Sequence, residues 1–102
     1  MATLLEGVRV LELSHVMAAP TCGLMLSDMG ADVIKVERLP DGDSIRKLAP
    51  FVNGESGPFA MMNRNKRGIA LNLRSEEGKS ILRNLIQGAD VFIENYRAAA
   101  NH

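Results

Sequence analysis

The sequence predicts an α/β protein with an open parallel sheet of about four strands, two main helices and one long loop. Four short apolar runs rich in β-branched residues have the length of buried strands. Two amphipathic segments lie between them, so the order is β-α-β, long loop, β-α-β. Strands that are joined through helices in this way run parallel, and their crossovers are almost always right-handed.

The first β-α-β unit is predicted between residues 8 and 37. Val8–Leu13 is the first strand and Asp32–Glu37 is the second. The helix between them begins near Pro20, which suits a first helical turn, and it stops at Gly30. The predicted buried stripe of this helix consists of Cys22, Met25, Leu26 and Met29.

Residues 38–67 are predicted to form the long loop, because prolines and glycines recur through the segment and break any long element. An excursion of this length inside a compact domain is usually functional or locally structured. Phe59–Met62 is predicted to be one helical turn within it.

The second unit follows this loop. Ile69–Leu73 is predicted as the third strand, and Ser75 is a favourable N-cap for the next helix. The helix ends at Gly88, and Ala89–Ile93 is the fourth strand. The predicted buried side of this helix consists of Ile81, Leu82, Leu85 and Ile86.

Length and composition exclude several classes of protein. A chain of 102 residues forms one domain at most, and its 12 basic and 12 acidic side chains cancel. Nucleic-acid-binding proteins usually carry a basic excess, so no nucleic-acid partner is expected. No apolar run approaches the roughly 18–20 residues of a membrane span, and no secretory signal is visible. A single cysteine cannot form an internal disulfide, so a cytoplasmic protein is predicted. The cysteine and the two histidines lack the spacing of metal ligands, so no metal site is predicted.

Polar or turn-forming residues follow each of the four predicted strands. Because the carboxyl ends of parallel strands meet at one edge, where ligands bind in open sheets, a ligand site is predicted there. The four clusters are Ser14–Met17, Glu37–Arg38, Asn72 with Arg74, and Glu94–Arg97.

Two alternatives for the ligand stay open at this point. Glu37 matches the acid of a dinucleotide site, but Ser14–Pro20 replaces its glycine-rich turn, and no P-loop is present. The basic stretch Asn63–Arg67 either forms a phosphate clamp together with Arg38 and Arg74 or is a solvated loop.

Three further residues are weighed for chemistry. Cys22 lies on the predicted apolar stripe and is interpreted as core packing rather than as a nucleophile. His15 follows a strand end, where a general base can sit, but no catalytic triad can be assembled around it. Tyr96 either stacks on a purine ring or closes the end of a strand.

Five segments together resemble the class III coenzyme A transferases (the CaiB/BaiF family), which include formyl-CoA and carnitine-CoA transferases and are related to α-methylacyl-CoA racemase. The resemblance covers residues 4–97. The segments are Leu5–Leu13 (LEGVRVLEL), Ala19–Pro20, Gly30–Arg38 (GADVIKVER), Asn63–Arg67 (NRNKR) and Asp90–Arg97 (DVFIENYR).

The resemblance implies a Rossmann-like large domain that binds coenzyme A or an acyl-CoA, in an interlocked homodimer. It implies a transfer of CoA between carboxylic acids through aspartyl intermediates. Residues 1–97 would be the N-terminal part of the large domain. The implied CoA contacts are Val16, Met17, Arg38, Leu71, Asn72, Leu73, Arg74, Asn95, Tyr96 and Arg97.

The sequence departs from the family pattern in three ways. The family's catalytic aspartate has no counterpart in these 102 residues, so no catalytic residue is assigned and the chain alone is expected to be inactive. Residues 98–102 form a tail outside the pattern, which suggests a truncation. Met17 also stands where formyl-CoA transferases have glutamine, which argues against oxalate as the acceptor.

Alternative functions are a stand-alone CoA-binding, nucleotide-binding or oligomerisation module without catalysis, and a fragment of an acyl-CoA racemase. Self-association is expected in each case, because a parallel sheet needs cover on both faces and its outer strands offer unpaired edges.

Overall fold

Four parallel strands form the central sheet, in the order β5-β2-β1-β6, and a two-stranded antiparallel hairpin lies apart from it. The computed structural model describes residues 4–13, 18–39 and 42–94. The elements are β1 (Arg9–Leu13), α1 (Ala18–Asp28), β2 (Asp32–Arg38), a 3-10 helix (Ser44–Lys47), β3 (Phe51–Val52), β4 (Glu55–Ser56), α2 (Gly57–Met62), β5 (Arg67–Leu71), α3 (Glu76–Gln87) and β6 (Val91–Glu94).

The predicted fold class is confirmed, and the boundaries of two strands are corrected. β6 begins at Val91 and ends at Glu94, whereas the prediction was Ala89–Ile93. β5 begins at Arg67 and ends at Leu71, two residues earlier than predicted at each end. Its first residues pair with Ile34 and Lys35 of β2, so backbone pairing places them in the strand without an apolar signature. Leu73 lies outside the strand, because the chain turns at Asn72.

The long loop is locally structured, as the sequence predicts. The Asp43 carboxylate caps the 3-10 helix by accepting a hydrogen bond from the Ile45 N–H at 3.0 Å. The Ser56 hydroxyl caps α2 by accepting from the Phe59 N–H at 3.2 Å, so the predicted turn at residues 59–62 is part of a longer helix. The Arg46 guanidinium lies 3.7 Å from the centre of the Phe59 ring and joins the two helices.

The two faces of the sheet are packed differently. Successive side chains of a strand point to opposite faces. On one face, Leu82 and Leu85 of α3 pack against an apolar cluster. On the other face, Leu26 of α1 packs against Val10, Ala31 and Val33. The members of the apolar cluster are the buried residues Leu11, Leu13, Val36 and Leu71.

The predicted buried stripe of α1 is wrong in part. Cys22 is exposed and Met25 is 59% exposed, so Cys22 does not pack in the core. The side of α1 that faces inward carries the small or compact residues Pro20, Gly23 and Ser27, which are buried. These residues allow α1 to approach the sheet closely, and Cys22 and Met25 lie on the outward side of the helix. Within the described ranges, no helix combines the length and apolar character needed to cross a bilayer.

Candidate functional site

The carboxyl edge of the sheet brings Arg38 next to the turn that follows β5. Arg38 and Leu71, the last residues of their strands, are partners in the parallel register. The Leu39 N–H donates to the Leu71 carbonyl oxygen at 3.0 Å and holds the two strand ends together. Arg38, Asn72 and Arg74 are exposed at this edge, while Leu73 is half-buried and Leu71 is buried.

The turn at residues 72–75 is fixed against the start of α3. The Asn72 side-chain oxygen accepts from the Arg74 N–H at 3.1 Å, and the Asn72 carbonyl oxygen accepts from the Ser75 hydroxyl at 2.9 Å. Ser75 in turn caps α3 by accepting from the Gly78 N–H at 3.0 Å. A Cβ at Gly78 would overlap the Asn72 carbonyl oxygen, so glycine is required for this approach. Asn72 and Arg74 are therefore presented by rigid backbone.

The order of the strands locates the crevice expected in an open parallel sheet. Along the chain the sheet grows from β1 to β2 and β5, and then returns to add β6 on the other side of β1. Ligands in such sheets bind where the order reverses, beyond the carboxyl ends of the two strands on either side of the reversal, which are β1 and β6. Here those ends are Leu13 and Glu94, which are register partners.

Half of the predicted contacts lie along the same edge of the sheet as this reversal point. Arg38 ends β2, which is next to β1, and residues 71–74 lie at the end of β5, which is next to β2. The remaining predicted contacts follow Leu13 or Glu94 in the chain and lie outside the described residues: Val16, Met17, Asn95, Tyr96 and Arg97.

The basic stretch Asn63–Arg67 does not form the phosphate clamp that was one of its two interpretations. Arg64 pairs with Asp28 at 2.9 Å, and Arg67 pairs with Asp32 at 2.6 Å. Both partners lie at the amino edge of the sheet, because Asp32 begins β2 and Asp28 ends α1. These guanidinium groups therefore lie at the opposite edge from Arg38 and Arg74.

A cluster of four buried charged side chains lies on the α1 face, and the sequence analysis missed it. Lys35 Nζ lies 3.2 Å from Glu12 Oε2 and 2.9 Å from Asp43 Oδ2. Lys66 Nζ lies 2.7 Å from Glu12 Oε1. All four side chains are at most 2% exposed, and their formal charges cancel. We call Glu12, Lys35, Asp43 and Lys66 the charged cluster.

The environment of Lys66 disfavours its charged form. Burial lowers the pKa of the Lys66 ammonium below its ordinary value of 10.5, and the neighbouring Lys35 adds to this effect. The hydrogen bond to Glu12 and the negative charges of Glu12 and Asp43 oppose the shift. The sequence does carry one signal for such a cluster: Glu12 and Lys35 each stand between apolar residues inside a short buried strand.

Glu37 is engaged within the chain and does not supply the acid of a dinucleotide site. Its carboxylate accepts from Arg46 Nε at 2.7 Å, from Arg46 Nη2 at 2.6 Å and from the Asp43 N–H at 2.8 Å. Burial acts to raise the pKa of Glu37, but the bonds from Arg46 and Asp43 outweigh it, and the pKa falls below 4.5. In the described part of the chain, no group of three or more His, Cys, Asp or Glu side chains could hold a metal ion.

Comparisons with known proteins agree on one family. The family model described as CoA-transferase family III matches residues 5–101. A succinyl-CoA:glutarate CoA-transferase from Mus musculus is 50% identical over 93 residues, which are 90% of this chain and 21% of the relative. An (R)-2-hydroxy-4-methylpentanoate CoA-transferase from Clostridioides difficile is 45% identical over 102 residues, which are 95% of this chain and 25% of the relative.

The fold has a close counterpart among solved structures. A crystal structure of a CAIB/BAIF family protein from Brucella suis superposes with a TM-score of 0.89 at 42% identity. The match covers 98% of this chain and 28% of that protein. The chain thus spans about a quarter of the length of the relatives that it matches.

Proposed function

Because the chain belongs to CoA-transferase family III, we propose that it forms part of the coenzyme A site of an enzyme that transfers CoA between carboxylic acids. The names of the relatives support the choice of CoA rather than of an acyl group. They specify glutarate, 2-hydroxy-4-methylpentanoate, mesaconate and oxalate in turn, and share only the CoA moiety. The proposal therefore names CoA thioesters as the ligand class and leaves the acyl group open.

One observation carries the proposal: two exposed guanidinium groups lie at the carboxyl edge of the sheet, the edge on which the reversal point also lies. Arg38 ends β2, and Arg74 lies in the turn that Asn72 fixes against α3. CoA is rich in phosphate, and guanidinium groups bind phosphate oxygens with two parallel hydrogen bonds. We propose that Arg38 and residues 71–74 bind the nucleotide end of CoA. Val16, Met17 and Asn95–Arg97, which follow β1 and β6, would complete the site.

The covalent step is proposed to lie with other parts of the relatives. Transfer through an acyl-enzyme requires a carboxylate that is accessible to the thioester. Glu12 and Asp43 are buried in the charged cluster and Glu37 is held by Arg46, and the family resemblance assigns the nucleophile to an aspartate that has no counterpart in these 102 residues. The proposed role of this segment is thus to bind CoA, and the nucleophile would come from the three quarters of the relatives that this chain does not match.

We also propose that the chain associates with itself in the cytoplasm. β6 is an edge strand of the sheet, and its Val91 and Phe92 side chains are 40% and 43% exposed. Exposed apolar residues on an unpaired edge favour association. Light scattering tests this: a species of higher mass is expected, and a monomer at high concentration would exclude it.

Calorimetric titration with CoA tests the ligand. Saturable binding is expected, and Arg38→Ala and Arg74→Ala should each weaken it by at least about tenfold, because bonds to charged groups contribute about 1.5–3 kcal/mol. Arg83→Ala is the matched control, since Arg83 is exposed on α3 away from the turn. Pantetheine, which lacks the nucleotide phosphates, should bind all four proteins equally weakly. Absence of binding at millimolar CoA would exclude the proposal.

A further inference from the structure

One buried ammonium group joins the two ends of the connection between β1 and α1. Lys66 Nζ lies 2.7 Å from Glu12 Oε1, 3.0 Å from the Pro20 carbonyl oxygen and 3.1 Å from Asn63 Oδ1. Glu12 is the next-to-last residue of β1, and Pro20 lies in the first turn of α1. An ammonium group has three N–H donors. The Lys66 ammonium donates two of them, to Pro20 and to Asn63, the C-cap of α2, and it contacts Glu12 as an ion pair, so it reaches three different parts of the chain.

The first turns of α1 pack against the Glu12 carboxylate. A Cβ at Gly23 would overlap Glu12 Oε1, so the helix comes as close to β1 as glycine permits. Pro20 is fully buried three residues earlier, on the same side of the helix. The separation between the end of β1 and the start of α1 is thus determined by the Glu12 carboxylate and the Lys66 ammonium.

The rest of the charged cluster keeps this contact in place. Lys35 binds the second oxygen of Glu12 and is itself bound by Asp43. A buried charge that leaves its partners loses their attraction without regaining water. Lys66 is 1% exposed, so its ammonium cannot exchange Glu12 and Pro20 for solvent while α1 remains packed.

From this geometry we infer that Lys66 is a positioning residue for the ligand site, which it does not touch itself. It holds the carboxyl end of β1 and the amino end of α1 at a fixed separation, and ligands of open parallel sheets bind beside that connection. The inference rests on the proposed function, because it takes the ligand to be CoA. Within the basic stretch Asn63–Arg67, it assigns to Lys66 a role in shaping the site from inside the protein rather than in binding phosphate.

The test uses a variant that removes the link without leaving a charge unpaired. Glu12→Gln/Lys66→Met neutralises both partners at similar volume, and Lys35 keeps Asp43. If the competent arrangement falls to about a tenth of the population, CoA binding weakens about tenfold. Leu85→Ala is the control, because Leu85 packs on the opposite face and its loss lowers stability without touching the cluster. It should bind CoA as the wild type does, at a temperature where circular dichroism shows all proteins folded.

A second measurement is independent of the ligand. Amide hydrogen exchange at Cys22 and Gly23 should accelerate in the double variant relative to Leu85→Ala, since α1 has lost its link to β1. Equal CoA affinity of the double variant and the wild type would overturn the inference and leave the proposed function intact. If the wild type does not bind CoA, the proposed function fails and the inference fails with it, whatever the exchange rates are.

Discussion

The two faces of the sheet are stabilised by different interactions. Beneath α3, Leu11, Leu13, Val36 and Leu71 form an apolar cluster covered by side chains of the helix. Beneath α1, the same two central strands contribute Glu12 and Lys35 to a cluster of four buried charges. Neighbouring residues of one strand, such as Leu11 and Glu12, therefore lie in opposite kinds of environment.

The two faces should tolerate substitutions differently. An apolar contact is non-directional and loses stability in proportion to the atoms removed. A buried ion pair adds little over an apolar replacement of the same volume, but removing one partner leaves a charge with neither water nor a counter-ion. The α3 face should therefore respond to volume, and the α1 face should respond to charge balance.

The largest effect is expected from Lys66→Met. This substitution keeps the volume but leaves the Glu12 carboxylate with Lys35 as its one remaining ion-pair partner in the cluster. The free energy of unfolding should fall by about 3–5 kcal/mol, measured by urea denaturation. The double variant Glu12→Gln/Lys66→Met should recover most of this loss, because no unbalanced charge remains. If the double variant is as unstable as the single one, volume rather than charge governs this face.

The next effect is expected from Leu11→Ala on the opposite face. Leu11 is 1% exposed, and the substitution opens a cavity in the apolar cluster. A loss of about 3 kcal/mol is expected from the removed atoms and the cavity. Leu11→Met, which conserves volume, should cost less than about 1.5 kcal/mol. A Met variant as unstable as the Ala variant would contradict the assignment of this face to volume.

Sequence patterns predicted the elements of the fold, because periodicity reports which face of an element is buried. Of the four residues predicted on the buried side of α3, Leu82 and Leu85 pack against the apolar cluster. The prediction was wrong for Ile81 and Ile86, which are 42% and 40% exposed. The limits of β5 were missed, because Arg67 and Gly68 become strand residues only through pairing with β2. Cys22 was misplaced because the close approach of α1 depends on Gly23, a residue that adds nothing to a hydrophobic stripe.

In the candidate site, only the residues whose position follows from the strand topology were predictable. Parallel pairing of β2 and β5 brings Arg38 and the turn after β5 to one edge of the sheet, independently of how their side chains pack. The charged cluster was not predictable in this way, because Asp43 and Lys66 belong to the long loop. The sequence of that loop has no hydrophobic period from which its course could be predicted. For the same reason the basic residues before β5 could not be divided in advance between the interior and the surface.

A smaller and pH-dependent effect is expected at Glu37, where the long loop meets the α1 face. The pKa of Glu37 is lower in the folded protein than its ordinary value of 4.5, so the unfolded chain binds more protons between the two values. The contribution of Glu37 to stability is therefore present above pH 4.5 and is lost as the pH falls through the folded pKa. Urea denaturation at a series of pH values measures it.

Glu37→Gln provides the control for this pH dependence. At neutral pH it should cost about 2 kcal/mol, since the bonds from Arg46 and the Asp43 N–H lose their charge assistance. It should also reduce the fall in the free energy of unfolding (the acid limb of the stability curve) as the pH is lowered below 4.5. An unchanged acid limb in Glu37→Gln would mean that another carboxylate carries the effect.

The smallest effect is expected at Arg64, whose pair with Asp28 lies on the surface at 54% and 39% side-chain exposure. Exposed ion pairs are screened by water and salt, so Arg64→Ala should leave the unfolding midpoint unchanged. The pKa of Asp28 should nevertheless rise toward its ordinary value of 3.8, because the hydrogen bond from Arg64 is the main cause of its lowering. A carboxyl titration followed by NMR measures that shift. Arg64 and Lys66 belong to the same basic stretch, but only Lys66 is buried. If Arg64→Ala lost as much stability as Lys66→Met, burial would not explain the effect of Lys66→Met, and the contrast between the buried cluster and the surface pairs would fail.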